Sequence, residues 1–445
     1  MLQDCAAHMP GDERRPEDSE LVAFATRRPT LEGLLRQMVE AEPNVVLLPG
    51  CRVTGLVAEQ RGRVPWVPGI AVASDDAILG DVVVISGGRT VPVMRWVSEI
   101  GVDVAESAES CGFACYTRYF RLRDGGEQVE PFAVRGDPGY LLYELSSADA
   151  GTFAAELVVP VKDRALHALR ETTAWTAAAM VVPGWPAWID PARSEPISPG
   201  VEVMGQERNV RRSFHRDGKP VALGVHVIGD ARCSTDSLWA WGCAHAMRAA
   251  MAVADAIEQH PTDHEAQPLL VSSRVDAELG GRWELSRDRD RAWHRRSRGE
   301  DGWNDLTSGA GLIDGILYPA SEEDADVFRA VTRWEQQLDR ADALDSNQAI
   351  IRRAKSIRDG QRPPAPTTTD LPARPNGVAA TVWRRSWRCC SSSTARWRCA
   401  SGWPRSPERL SRRVRSHPPD GCGRPTWRAP RHVEARMRFG AFADA

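Results

Sequence analysis

The stretch PVALGVHVIGDARCSTDSLWAWGCAHAMRAAMAVADAI, Pro220 to Ile257, constrains the chain more than any other segment. Val221, Leu223, Val225 and Val227 alternate as in a half-buried strand, and Gly229-Asp230-Ala231 follows. Candidate caps Ser234, Thr235, Asp236 and Ser237 then lead into a small-residue helix that stops at Pro261. The predicted buried face of that helix is Leu238, Trp241, Met247, Met251, Ala254 and Ile257. Strand, tight turn and helix make an α/β unit, and ligands gather at the carboxyl edge of such sheets. There Asp230 offers acceptors for a hydroxyl, while the first helical turn offers N–H groups and a positive dipole end to an electron-rich atom. A structural turn capped by Asp230 is the plainer alternative.

Around this unit the chain divides by pattern. Residues 1–20 are polar and Pro/Gly-bearing, and are expected to be disordered. The segment TRRPTLEGLLRQMVEAEPNVVLL predicts an amphipathic helix with Thr30 as N-cap, a stop at Pro43, and a strand over Val45–Leu48. Short β runs from Arg52 to Val84 predict an antiparallel meander. It feeds GDVVVISGGR, whose run Val82–Ile85 reads as a strand buried on both faces. FACYTRYFRL, GYLLYEL and TFAAELVVPV predict an antiparallel sheet within residues 105–220, with a helix over Arg164–Val181. Helical sequence continues to about Arg298, then over Glu322–Leu338 and Gln348–Arg358.

Charge separates the end of the chain from the rest. The net formal charge is −3, yet residues 377–445 hold 15 Arg against 4 Asp/Glu. That basic, Trp- and Cys-bearing tail has no helical or strand period and follows a Pro/Thr linker. It is expected to be unstructured and out of frame, and no specific nucleic-acid partner is assigned to it. The ten cysteines follow no disulfide framework, and the start has no apolar signal core, so a cytoplasmic location is expected. No run of about 18 uncharged apolar residues suggests a transmembrane segment.

Two further segments bear on the site. GDVVVISGGRTV ends a buried strand in Gly87-Gly88, where missing side chains admit close approach. ATRRPTLEGLL sets Arg27 and Arg28 ahead of a helix, where a guanidinium suits a phosphate. With GDARCSTDSLWAWG, these segments resemble the FAD-dependent monooxygenase and oxidoreductase superfamily of the para-hydroxybenzoate hydroxylase fold, related to flavin halogenases and geranylgeranyl reductases. The resemblance runs from about Glu20 to Ile257, with Asp81, Gly88, Arg89, Gly229, Asp230, Ala231 and Gly242 matching. Gly87, Val91 and Ser237 depart from the pattern.

The resemblance implies an α/β (α+β) fold: an incomplete FAD-binding domain with a parallel sheet and β-meander, and an antiparallel-sheet substrate domain. A helical C-terminal region and an unstructured tail would follow. The expected boundaries are 21–104 and 221–260 for the cofactor domain, 105–220 for the substrate domain, 261–360 for the helical extension and 361–445 for linker and tail. It further implies FAD as cofactor, NADH or NADPH as electron donor, and an apolar or aromatic small-molecule substrate. Arg28 would lie near the pyrophosphate, Asp230 would bind ribityl hydroxyls, and Leu238 would start the helix facing the ring. Asp81, Gly88, Arg89, Gly229, Ala231 and Gly242 would shape the cleft.

No Gly-x-Gly-x-x-Gly unit after a strand precedes these motifs, and SGAGLIDG, with Gly309, Gly311 and Gly315, has the wrong spacing. The expectation is therefore of a family member lacking its ADP-binding unit. A non-catalytic remnant or protein-binding module without FAD is the alternative. Cys111 and Cys115 have no partner pair in sequence, so no metal is expected. His260 and His264 flank the helix-breaking Pro261, and PGWPAWID lacks the spacing of a halogenase motif. The residues name no catalytic group.

Overall fold

Runs rich in aromatic and aliphatic residues, such as Phe113–Leu122 and Thr152–Pro160, give an antiparallel sheet in the middle of the chain. The computed structural model describes residues 2–11, 14–74, 76–123, 133–205, 207–300 and 308–360. These fall into two compact units: residues 32–48 belong to one, and the other described residues to the second. Linker and tail, 361–445, lie outside the described residues.

The opening residues are structured, which corrects the expectation of disorder. β1 (Leu2–Asp4) pairs antiparallel with β2 (Val22–Phe24), with 3-10 turns at Cys5–His8 and Pro16–Glu20 between them. Cys5, Ala6 and Leu21 are buried beside Phe328, and Asp18 accepts from Arg329 Nε at 2.7 Å and Nη2 at 3.0 Å. Order there comes from partners some three hundred residues away, which no local pattern reveals.

α1 (Arg28–Ala41) begins two residues before the expected cap, Thr30, whose hydroxyl instead donates to Asp149 at 3.0 Å. In the 32–48 unit Leu34, Leu35, Met38 and Val39 are exposed, and Val45–Leu48 is irregular instead of a strand. A strand needs a neighbour for its ladder, and among the described residues that segment has none.

β3 (Val53–Arg61), β4 (Val64–Val72) and β5 (Ala77–Leu79) form the expected meander. β6 (Val83–Ile85) follows, then α2 (Val93–Glu99), which buries Val93, Trp96 and Val97. Val83 and Ile85 are buried while Val84 is 43% exposed, so β6 covers one face only, against the two-faced burial read from its sequence.

β7 (Ala105–Ser110) leads to β8 (Phe113–Leu122), β9 (Ala133–Gly136), β10 (Leu142–Ser147) and β11 (Thr152–Pro160). α3 (Thr172–Ala179) and α4 (Trp185–Ile189) come next, followed by β12 (Ser194–Pro196) and β13 (Glu202–Gly205). The sheet runs β12-β8-β11-β10-β9, with β13 also on β8, and every pairing is antiparallel. Trp175, Trp185 and Trp188 close its core, and Trp175 Nε1 donates to the Tyr116 carbonyl at 2.8 Å. The helix expected over 164–181 divides, since Glu171 is extended between a 3-10 turn and α3.

β14 (Arg208–Ser213) pairs with β7. The short hairpin of β15 (His215–Arg216) and β16 (Lys219–Pro220) returns the chain to β17 (Val225–Val227), which lies parallel to β6. β18 (Cys233–Ser234) extends the β14 sheet, and α5 (Gly242–Gln259) and α6 (Ala266–Ser297) follow. α5 buries His245, Ala249, Ala252, Val253 and Ala256 and exposes Met247 and Met251. Of the predicted face, Met247 and Met251 fail, while Trp241 is buried and Ile257 packs against the core that the small residues form with α6.

Beyond α6, short helices α7 (Gly309–Leu312) and α8 (Tyr318–Ser321), joined by a π turn, precede α9 (Ala325–Glu335), α10 (Ala343–Ser346) and α11 (Gln348–Gly360). The run RDRDRAWHRRSR, residues 287–298 at the end of α6, alternates charge as a solvated helix does, yet it is partly internal. Arg289, 1% exposed, donates to both oxygens of Asp314 and lies 4.6 Å over Trp239. A guanidinium can be buried when its charge is matched and its faces meet aromatic rings. Among the described residues no helix is long and apolar enough to cross a membrane.

Candidate functional site

β6 and β17 run in register, Val83 to Val225 and Ile85 to Val227, so their carboxyl ends deliver Gly87-Gly88-Arg89 and Gly229-Asp230-Ala231 side by side. Both strands turn through left-handed glycines, Gly88 at φ +76 and Gly229 at φ +60, a conformation in which a Cβ is strained. The turns are joined by Arg89. Its Nε donates to Asp230 Oδ2 at 3.1 Å, its Nη2 donates to the Thr235 carbonyl at 2.8 Å, and its Nη1 lies 3.1 Å from Glu207 Oε1. Glu207 Oε2 accepts from Ser237 N at 3.0 Å, which ties the arginine to the following loop.

Asp230 remains about one-third exposed. α5 begins beside it, since a Cβ built on Gly242 would stand 3.8 Å from Asp230 Oδ1. The N-cap of α5 is Trp241, which supplies no side-chain cap, so the first-turn N–H groups are left for another acceptor. This corrects the expected helix start at Leu238. Leu238 lies in a separate 3-10 turn, Ser237–Trp239, where its N–H donates to Asp236 Oδ1 at 3.0 Å. Ala231 is fully buried and its carbonyl accepts from Arg212 Nη1 at 2.6 Å, so it supports the turn from behind.

Two predicted residues fall elsewhere. Asp81 is exposed before the amino end of β6, at the opposite end of the strand from Gly88. Arg28 is exposed in the first turn of α1, while Arg27 makes the defined contact, a two-oxygen clasp of Asp149 joined by Thr26 and Thr30. The Arg27 hydrogen bond holds the Asp149 carboxyl far below the ordinary carboxylate range. That network ties α1 to the 3-10 turn between β10 and β11.

Behind the Arg89 loop lies a buried group that sequence spacing did not assemble. Cys111, between β7 and β8, meets Asp236 and Asp290 of α6, with one ligand-type atom from each residue within 4.8 Å of the others. Asp290 accepts from Asn209 Nδ2 at 2.6 Å and Trp239 Nε1 at 3.3 Å. Burial pushes the Asp236 carboxyl up to about 6, and burial together with the Asp236 charge pushes Asp290 well above its ordinary value. Burial likewise raises the Cys111 thiol, which keeps its proton. On β11, Glu156 accepts from Thr117 Oγ1 at 2.6 Å, and burial pushes its carboxyl up to about 7. Sequence alone gave no signal for these acids, because their partners lie in other elements.

A cavity of about 720 Å³ opens next to Cys111, between the β7–β8 corner, the end of β11 and the last turns of α6. Ser110, Gly112, Pro160, Lys162 and His294 are in its wall. His294 lies against Phe113, with ring centres 4.6 Å apart, and its Nε2 is 2.9 Å from the Cys111 carbonyl.

No protein-family model matches the chain, and no curated protein matches it. Among solved structures the chain is similar to a flavin-dependent brominase, at 17% identity over 76% of each chain and a TM-score of 0.48. It is also similar to a myxobacterial chondrochloren halogenase, described as FAD-dependent, at 15% identity over 74% of this chain and 77% of that one, with a TM-score of 0.49. A probable FAD-dependent monooxygenase from Pseudomonas aeruginosa has 15% identity over 64% of this chain and 72% of its own, with a TM-score of 0.44. These values describe a partial likeness of chain path.

Proposed function

We propose that the chain is a FAD-dependent oxidoreductase of monooxygenase-like character acting on an apolar or aromatic small molecule. The observation that carries this reading is the meeting of Arg89, Asp230 and the start of α5 at the carboxyl ends of a parallel strand pair. The residues present fit the flavin half of FAD. Asp230 is a partly exposed acceptor for a polyol hydroxyl, and the uncapped first turn of α5 supplies N–H donors and a positive dipole end for an electron-rich ring edge. Bound there, FAD would supply two-electron redox chemistry, with NADH or NADPH as the source of electrons.

The chain's own residues set the conditions for that chemistry. Arg89 fixes the Asp230 carboxylate and joins the two turns, while Gly88 and Gly229 leave room for a planar ligand. The cavity beside Cys111 would hold the substrate: Pro160, Val161 and Gly112 offer contacts to an apolar body, and Lys162, Arg291 and His294 offer polar ones. Arg28 and Asp81 have no part in this reading.

Visible absorbance of the full chain titrated with FAD tests it. Saturable binding is expected, weakened by ten- to a hundredfold in Asp230→Ala, as loss of a charged hydrogen-bond acceptor implies. A folded chain that takes up no flavin would leave the alternative, a non-catalytic module without FAD.

A further inference from the structure

We propose that Cys111, Asp236 and Asp290 form a binding site for a zinc-like divalent cation, a site separate from the proposed cofactor cleft. Three segments distant in sequence bring one thiol and two carboxylates together, with ligand atoms within 4.8 Å of one another and all three residues buried. Two carboxylates this close and this dry require compensation. Among the described residues neither has an ion-pair partner, and the adjacent Arg289 is committed to Asp314.

The hydrogen bonds hold both carboxylates in fixed orientations toward a shared centre. Three of the four carboxylate oxygens accept from fixed N–H donors: Asp290 Oδ2 from Asn209, Asp290 Oδ1 from Trp239, and Asp236 Oδ1 from Leu238. The fourth oxygen, Asp236 Oδ2, is sealed from solvent without a hydrogen-bond partner, on a residue 3% exposed. Asp236 is itself held in place, since its backbone N–H donates to Asn209 Oδ1 at 3.0 Å and Ser286 Oγ at 3.1 Å. The site thus has oriented ligands, an open oxygen and a supporting shell.

The ligand set selects the metal. Calcium and magnesium take oxygen ligands, whereas a thiolate beside carboxylates suits the borderline zinc ion. Three protein ligands leave a fourth position open. Ser110 and Gly112, on either side of Cys111, line the 720 Å³ cavity, and Cys111 itself is buried behind that wall. On binding, sulfur–metal and oxygen–metal bonds form, and the thiol proton of Cys111 leaves to solvent with any proton carried by the acid pair. No electron is transferred.

The test uses the full chain, stripped with chelator, titrated with Zn²⁺ and assayed for retained metal after desalting, with Co²⁺ as a spectroscopic probe. One zinc per chain is expected, with proton release and a sulfur-to-cobalt charge-transfer band. Cys111→Ser should abolish the band and weaken binding at least tenfold, and Asp290→Asn should also weaken it at least tenfold. Cys115→Ser, which alters a buried thiol outside the cluster, should leave both unchanged. Circular dichroism reports folding, and Cys111→Ala provides a second variant that removes the sulfur without adding a hydroxyl. No retained zinc in the wild type means that the acids share a proton only, and overturns the proposal. Equal retention by wild type, Cys111→Ser and Asp290→Asn does the same. Neither result depends on FAD.

Discussion

Breaking the Asp18–Arg329 pair should cost about 2–3 kcal/mol and release the N-terminal hairpin. The Asp18 side chain is 2% exposed and that of Arg329 is 9% exposed, and they meet through two hydrogen bonds of 2.7 and 3.0 Å. Removing one partner of a buried pair costs about 3–5 kcal/mol, because the other charge is stranded. Here Asp326 lies 3.3 Å from Arg329 Nη1 and retains part of the attraction, which lowers the figure. The assay is a double-mutant cycle in urea with Asp18→Asn, Arg329→Gln and both together. A coupling near 2 kcal/mol is expected, with faster proteolysis before Leu21 in each variant.

The hydrogen bond from Arg329 holds the Asp18 carboxyl below its ordinary value of 3.8. Its contribution is therefore complete above that value and fades as pH falls through the lower folded one. The gap between wild type and Asp18→Asn should narrow in acid. Coupling below about 0.5 kcal/mol, the level of an exposed pair, would refute the reasoning.

Three other outcomes follow from the described contacts. Glu156, raised to about 7, costs stability as pH climbs from its ordinary 4.5 toward 7, so Glu156→Gln should flatten that decline, by up to about 3 kcal/mol, in pH-dependent melts. Asp149→Ala removes the acceptor for Thr26, Arg27 and Thr30, and trypsin should then cut after Arg27 several-fold faster. Trp175→Ala empties a fully buried site and strands the Tyr116 carbonyl, with an expected loss of about 3–5 kcal/mol by urea denaturation and a diminished near-ultraviolet dichroism signal.

Much of the fold is written in local pattern. The β-like segments FACYTRYFRL and TFAAELVVPV became β8 and β11, and the meander and the Gly229-Asp230-Ala231 turn lie where their residues placed them. What sequence could not show depends on partners far along the chain. Asp18 looks like an exposed acid until Arg329 arrives, and Arg289 looks solvated until Asp314 and Trp239 enclose it. Cys111, Asp236 and Asp290 likewise carry no shared motif, since three separate elements bring them together. Arg89 stands out within its own motif, but the second carboxylate that it meets, Glu207, does not.

The parallel pairing of β6 with β17 also dictates an order of events. About 140 residues separate the paired strands, and the entire antiparallel sheet is strung between them. Closing so long a span is entropically unfavourable until the intervening chain has condensed and brought its ends together. Within the intervening sheet β9, β10 and β11 are consecutive hairpins, which can form early, recruit β8 and serve as the scaffold for that closure. Arg89 and Asp230 would then meet only in the last stage, so a ligand of their cleft would slow unfolding without hastening the first steps of folding.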